Sequence, residues 1–281
     1  MKIQQMLNLA VDKLKKNNIS EPILKARILL SAILDKPKEY LIINNNKEIN
    51  NQIAQKYHRS IEKLLNDIPL QYIINNQEFM KLNFYVDDNV LIPRQDTEIL
   101  VEEVIRISKK INFPTILDLC CGSGAIAVSL AKYVQQSIIL ASDISKEALQ
   151  ITKLNAIKNN VNIEILKSDL FNNIINRKFD IIVSNPPYIK TEEILHLEKQ
   201  VQQEPIIALD GGNDGLEIYR RIIKQAYYYL KTGGYLCLEI GFNQKKEIIE
   251  LIKKKDRYDT IYSKMDLANK DRIIVCRKME E

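Results

Sequence analysis

The chain has no tryptophan, only two histidines, His58 and His196, and four cysteines, Cys120, Cys121, Cys237 and Cys276, in 281 residues. No two cysteines stand at C-x-x-C spacing, so the common zinc ligand sets cannot be assembled and no metal site is expected. The adjacent pair Cys120-Cys121 bridges only with strain, which points to reduced thiols in a reducing compartment. Long hydrophobic runs are also lacking. None approaches the ~20 residues needed to cross a bilayer, and Met1 to Ala10 does not contain the unbroken apolar region of a signal peptide. These absences predict a cytoplasmic protein with no membrane association. Internal repeats and low-complexity linkers are missing as well.

What the chain does have is a hydrophobic fraction of 46%, enough for a sizeable core. Its net charge of +5 is unevenly placed: residues 1–66 hold 12 Lys and Arg against 6 Asp and Glu, a balance of +6, and the remainder holds 29 against 30. Lysines that simply solvate helix faces account for such an excess, and so does a surface for an acidic protein or nucleic acid.

The same segment carries helical periodicity. Ile3, Met6, Leu7, Ala10 and Leu14 recur at three and four residues, as do Ile53, Tyr57, Ile61, Leu64 and Leu65, and Glu21-Pro22 opens a third run through Leu24, Ile28, Leu29 and Ile33. Residues 1–68 therefore read as a small helical domain. Alternation then appears at Leu82, Phe84 and Val86. Asp87-Asp88-Asn89 supplies turn chemistry before Val90 and Ile92, so a β-hairpin is expected inside a bridge spanning residues 69–98.

From residue 99 to 281, helical and strand-like runs alternate: TILDL at 115–119, SIILASD at 137–143, NIEILKSD at 162–169, FDIIVSN at 179–185 and GGYLCLEIG at 233–241. Continuous apolar strands between helices predict an α/β fold with a doubly wound, mostly parallel sheet covered on both faces. The last runs, DTIYSKM and DRIIVCRK, lie close enough to pair antiparallel.

Ligands of such sheets bind at the carboxyl ends of the strands, so the residues that end each strand matter most. The first ends in Asp118-Leu119-Cys120-Cys121-Gly122-Ser123-Gly124 and opens a helix at Ala125, with Gly122 and Gly124 permitting close backbone approach. Against the dinucleotide fingerprint, Gly122 and Gly124 fit but Ala127 fills the last glycine position, so the loop taken alone is a weak signal. Asp143 ends the second strand, where a carboxylate either accepts the two hydroxyls of a ribose or caps the helix that begins near Lys146. The third ends in Ser168-Asp169-Leu170-Phe171, which offers an acceptor for an adenine amine and apolar cover for its ring.

The fourth strand ends in Asn185-Pro186-Pro187-Tyr188. Each proline fixes its own φ and restricts the residue before it, which stiffens the corner. Asn185 and the Pro186 carbonyl then offer two acceptors to a single NH2 group, and Tyr188 adds a flat face for a planar substrate. A conjugated NH2 is a poor nucleophile. Holding both of its hydrogens positions the nitrogen against a preactivated electrophile such as a sulfonium methyl donor.

The Asp-x-x-x-Gly-Ser-Gly loop, Asp143, Ser168-Asp169 and Asn185-Pro186-Pro187-Tyr188 resemble class I S-adenosylmethionine-dependent methyltransferases that act on planar nitrogens. Two further stretches narrow the resemblance. Residues 69–102, PLQYIINNQEFMKLNFYVDDNVLIPRQDTEILVE, and residues 204–222, EPIIALDGGNDGLEIYRRI, are similar to the release factor glutamine methyltransferases of PrmC/HemK type. The likeness covers nearly the whole chain. It implies a seven-stranded sheet, a helical substrate-recognition domain at 1–68, and methylation of the glutamine amide in the GGQ motif of peptide chain release factors. It further implies that Cys120, Cys121, Gly122, Ser123, Gly124, Asp143, Asp169, Leu170 and Asn185 hold S-adenosyl-L-methionine. Asn185, Pro186, Pro187 and Tyr188 would hold the substrate, with Asn185 and Pro186 catalytic. A monomer with no stable nucleic-acid complex is expected.

The chain departs from the family pattern in places. Cys120 and Cys121 replace a glycine and a threonine, Asn75 replaces a bridge glycine, and Gln95 replaces a proline. Asn75 tolerates the left-handed backbone that such a glycine provides. Arg94, Asp96 and Glu98 read as an ion-pair cluster capping the next helix, and Gly211 to Gly215 as a flexible rim at the substrate entrance. Two other functions remain open. One is a nucleic-acid methyltransferase acting on an exocyclic base amine, which the lack of tryptophan and of an aromatic-rich basic groove disfavours. The other is a non-catalytic binding module, which the intact Asn185, Pro186 and Asp143 disfavour.

Overall fold

The computed structural model describes residues 1–279 and divides them into two compact units, Met1–Asn76 with Glu198–Gln203, and Gln77–Leu197 with residues 204–279.

The first unit contains α1 (Ile3–Lys16), α2 (Pro22–Leu34), α3 (Lys38–Ile43), α4 (Asn51–Leu65) and α5 (Leu70–Ile74). The three predicted runs supply its core, in which Ile3, Met6, Leu14, Leu29, Leu30, Tyr57, Ile61 and Leu64 are buried. Asn50 caps α4 by accepting from the Ile53 amide, and the buried Tyr57 hydroxyl donates to the Ala26 carbonyl at 3.0 Å. The unit runs beyond residue 68 because α5 packs on its core through Leu70, Ile73 and Ile74. Asn75 ends that helix at φ 50°, the left-handed position its residue type tolerates.

The hairpin is not where the alternation put it. Strand β1 (Gln77–Phe79) pairs with β2 (Leu82–Phe84) around Met80-Lys81, while Asp87-Asp88-Asn89 forms a turn that joins no strands. Both turn residues have positive φ, so the non-glycine pair Met80-Lys81 gave no turn signal. The hairpin belongs to the second unit. Phe79 and Phe84 meet edge to face in its core, the Tyr85 amide donates to Asn155, and the Tyr133 hydroxyl donates to the Met80 carbonyl at 2.6 Å.

The rest is a seven-stranded sheet ordered β5-β4-β3-β6-β7-β9-β8. Its members are β3 (Thr115–Leu119), β4 (Ile138–Asp143), β5 (Glu164–Lys167), β6 (Phe179–Ser184), β7 (Leu230–Glu239), β8 (Tyr258–Met265) and β9 (Asp271–Lys278). All pairings from β5 across to β7 are parallel. Strand β9 runs antiparallel between β7 and β8, as the spacing of the last two runs predicted.

Alternate residues of each strand enter two cores, which is why the runs read as continuous apolar stretches. Ile116, Ile139, Ile181, Val183 and Val275 face one side with α6 (Glu98–Ser108), α7 (Ala125–Tyr133) and α8 (Lys146–Lys158). Leu117, Leu140, Ile182, Leu238 and Ile274 face the other, with α10 (Glu217–Tyr229) and α11 (Lys245–Lys253); the short α9 (Ile206–Leu209) lies between β6 and α10 in sequence. Strand order reverses between β3 and β6, so their carboxyl ends open a crevice. Among the described residues no helix is long and apolar enough to cross a membrane.

Candidate active site

Sheet register brings the motif residues together. Leu119 pairs with Ser142 on one side and Ser184 on the other, so Cys120, Asp143 and Asn185 leave three adjacent strands at one level. The Ser168 amide donates to the Asp143 carbonyl at 2.9 Å, which adds the fourth strand end.

A cavity of about 420 Å³ lies along these ends. It is lined by Cys120, Asp143, Ser168, Asp169, Leu170 and Pro187 from the predicted motifs, joined by Ile144, Ile206, Ile207, Asp210, Ile218 and Arg221. An apolar slot with acidic groups in its wall suits a nucleoside, which needs ring cover together with acceptors for hydroxyl and amine hydrogens.

Asp143 is an acceptor held in place, not a helix cap. Its two oxygens take the amides of Gly122 and Ser145, both at 2.9 Å, and the cap of α8 is Ser145, which accepts from the Ala148 amide. Burial raises the Asp143 pKa, and the amides of Ser145, Gly122 and Ile144 oppose the rise. A carboxylate offers about four lone-pair sites, so acceptor capacity remains for a further donor.

The glycine loop divides its labour. Gly122, at φ +53°, has open space where a Cβ would be, so a ligand can approach its backbone closely. At Gly124, φ +78°, a Cβ would meet Thr152 Cγ2 at 2.8 Å, so that glycine serves packing of the loop on α8. The side chains of Cys121 and Ser123 are buried and do not reach the cavity; Cys121 Sγ sits 3.5 Å from the Thr152 hydroxyl. Cys120 takes φ +58°, so the backbone retains a glycine-like conformation in spite of the thiol. Asp118 is fully buried below the loop, where one oxygen caps α7 by accepting from the Ala127 amide and the other has no partner. Burial drives its pKa well up, opposed by that amide.

Leu170 also has positive φ, +49°, an uncommon setting for a bulky side chain. Ser168 stabilises it by donating to the Leu170 carbonyl at 2.6 Å and accepting the Asn173 amide. Asp169 is engaged by the Arg221 guanidinium, 2.7 Å from both of its oxygens. Arg221 lies in the family-like stretch 204–222, but nothing in that stretch links it to Asp169, 52 residues away in sequence.

At the corner, Asn185 is half-buried and its Nδ2 donates to the Thr97 hydroxyl at 3.3 Å. Among the described residues neither Asn185 Oδ1 nor the Pro186 carbonyl has a hydrogen-bond partner. The corner is braced from behind. The Gln244 amide donates to the Tyr188 carbonyl at 3.0 Å, the Gly211 amide to the Ile189 carbonyl at 2.8 Å, and the Ile189 amide to the Leu209 carbonyl at 2.9 Å. A Cβ at Gly211 would fall 2.7 Å from Tyr188 Cα, and one at Gly215 2.5 Å from its carbonyl oxygen. The expected flexible rim is therefore a buttress packed on the corner.

Beneath it lies a charged cluster in which Arg94 and Asp96 meet partners that the motifs did not reveal. Glu239 ends β7 immediately after Leu238, which pairs with Ser184, so it stands beside Asn185. Arg94 pairs with the buried Glu204, Asp96 with Arg272 at 3.0 Å, and Glu98 accepts the Met80 amide at 2.6 Å. Of these three, only Arg94 and Asp96 form ion pairs among the described residues, each with a partner distant in sequence and not with each other, while Glu98 accepts a backbone amide; the three are not the local helix-capping cluster expected. Burial raises the Glu239 pKa to about 7 and lifts that of Tyr188 to about 12, with Glu239 adding to the latter. The only sequence signal for Glu239 is an acid inside the apolar run YLCLEI. His196 is exposed, and no group of metal-ligating side chains occurs among the described residues.

Comparison with known proteins agrees with this geometry. Residues 5–74 match the family model "PrmC N-terminal domain" and residues 95–204 match "Methyltransferase small domain". The release factor glutamine methyltransferase of Clostridium acetobutylicum is 40% identical over 282 residues, 98% of each chain, and that of Moorella thermoacetica is 36% identical over 283 residues, all of both. A methyltransferase structure from Pyrococcus furiosus superposes with TM-score 0.53 over 72% of this chain and 91% of its own, at 18% identity, a likeness of fold.

Proposed function

The chain belongs to the release factor glutamine methyltransferases, and from that premise we propose that it methylates the side-chain amide nitrogen of the glutamine in the GGQ motif of peptide chain release factors. S-adenosyl-L-methionine, bound in the cavity, supplies a methyl group on a sulfonium that needs no further activation. Asp143 accepts the ribose hydroxyls and Asp169 the adenine amine, while Leu170 with Ile206, Ile207 and Ile218 covers the ring. The Cys120 to Gly124 backbone runs alongside, with Gly122 at the closest approach.

Asn185 Oδ1 and the Pro186 carbonyl each accept one hydrogen of the substrate amide, and Pro187 and Tyr188 bound the space around its plane. With both hydrogens held, the nitrogen can turn its lone pair out of conjugation toward the methyl carbon; the new N–C bond would replace the methyl–sulfur bond, leaving S-adenosyl-L-homocysteine, and the surplus proton would pass to water. Positioning and hydrogen-bond acceptance carry the acceleration, so the corner needs no strong base. The helices of residues 1–68, with their basic excess, recognise the factor, and the enzyme works as a cytoplasmic monomer with no stable nucleic-acid complex.

The observation that supports this reading best is the pair of unpartnered acceptors, Asn185 Oδ1 and the Pro186 carbonyl, at the strand switch point beside the glycine loop. Incubation with the methyl donor, a release factor and DNA and RNA oligonucleotides, followed by mass spectrometry, tests it. One methyl on the GGQ glutamine is expected; a methylated oligonucleotide beside an unmodified factor overturns the reading. Asn185→Ala is expected to keep donor affinity and lower kcat by about 10²- to 10³-fold.

A further inference from the structure

We propose that Thr97 and Glu239 are positioning residues that set which end of the Asn185 amide meets the substrate; the proposal rests on the reading of Asn185 above. The oxygen and nitrogen of an asparagine amide are almost the same size, so shape alone does not select between the two orientations. Only the oxygen is useful here, because a nitrogen in its place would set donor against donor.

The selection comes from a chain of hydrogen bonds. Asn185 Nδ2 donates to Thr97 Oγ1 at 3.3 Å, and the buried Thr97 hydroxyl faces Glu239, which the strand register sets beside Asn185 and whose carboxylate form Thr97 favours. A hydroxyl has one proton. An ionised carboxylate only accepts, so the Thr97 proton is committed to Glu239, and its oxygen can only accept from Asn185. Asn185 must present its NH2 group inward, which leaves Oδ1 as the end available to a substrate. The polarity of the corner is thus set two residues behind it.

A second observation concerns Glu239 itself. It is almost fully buried, and its Oε2 has no hydrogen-bond partner. A carboxyl left so poorly solvated destabilises the fold, and such groups concentrate where chemistry uses them. The groups that face it are Arg94, Asp96 and Thr97 from the segment before α6, Arg272 from β9, Tyr188 from the corner and Tyr219 from α10. Arg272 and Arg94 favour the carboxylate, while Asp96 opposes it. Arg272 is itself fixed by Asp96 and by Asp266 at 2.9 Å. Once protonated, Glu239 can donate to Thr97, the hydroxyl can turn toward Asn185, and the direction of the chain is lost.

Full-length Thr97→Val, Thr97→Ser and Glu239→Gln variants, assayed for kcat and KM on a release factor between about pH 6 and 9 and for donor affinity by calorimetry, test the relay. Thr97→Val and Glu239→Gln are each expected to lower kcat about 10- to 100-fold with donor affinity changed less than about threefold. Thr97→Ser recovers most of the turnover lost in Thr97→Val. Wild-type kcat rises with pH through about 7, and Glu239→Gln lacks that limb. Thr97→Val turning over within about twofold of Thr97→Ser overturns the relay, as does a wild-type profile identical to that of Glu239→Gln. Should Glu239→Gln fail to fold, the Val-to-Ser ratio decides alone. Wild-type turnover on the factor bears on the proposed function, and the ratio between variants bears on the relay.

Discussion

Glu239→Gln should make the protein more stable, and increasingly so as pH rises. The wild-type carboxyl is buried, and its pKa climbs from 4.5 to about 7 on folding. A raised pKa means that the folded state binds more protons than the unfolded chain between those values, so stability is greatest at low pH and falls as pH rises through about 7. With one unit worth about 1.4 kcal/mol, linkage puts the loss between about pH 5 and about pH 8 at roughly 2–3 kcal/mol from this residue. Glutamine cannot ionise and loses nothing over the same range. Asp118, Asp143 and Glu204 have raised pKa values too, again chiefly from burial, but they are common to both proteins and cancel in the difference. Urea unfolding of both proteins at the two pH values, followed by far-UV circular dichroism because the chain has no tryptophan, gives the gap directly. The variant should gain roughly 2–3 kcal/mol on the wild type between the two conditions. A gap constant to within about 0.5 kcal/mol refutes the reasoning, since Glu239 would then be no harder to ionise folded than unfolded.

Asp143→Asn must turn an NH2 toward either the Gly122 or the Ser145 amide, donor against donor, so calorimetry should show donor affinity about 100-fold weaker, or ~2.7 kcal/mol. Affinity within about threefold of wild type would reduce Asp143 to a brace for the loop. The two loop glycines should separate in thermal melts. Gly124→Ala meets Thr152 and should lose about 2–3 kcal/mol, whereas Gly122→Ala enters open space and should lose about 1 kcal/mol while weakening donor binding more. Equal losses of stability would deny that the two positions have different duties.

Most of the architecture was written in local sequence. The periodicities of residues 3–14 and 53–65, and the apolar runs ending in Cys120, Asp143, Asp169 and Asn185, needed only neighbours in the chain to be legible. A strand buried on both faces reads as an unbroken apolar run, and a binding residue at its end reads as the polar residue that stops it. The hairpin failed for a local reason as well: Met80 and Lys81 adopt left-handed turn conformations that their residue types rarely signal.

What sequence determined alone was the order of strands and helices, the stiff corner at Asn185-Pro186-Pro187-Tyr188 and the identity of the strand-end residues, because backbone preference and hydrophobic period act over a few residues. Only the tertiary structure decided which distant groups stand behind them. Glu239 comes to Asn185 through pairing of β6 with β7, Arg221 reaches Asp169 from a helix, and Gly211 to Gly215 pack on Tyr188. Contacts of that kind depend on sheet register and helix placement, and no spacing along the chain encodes either.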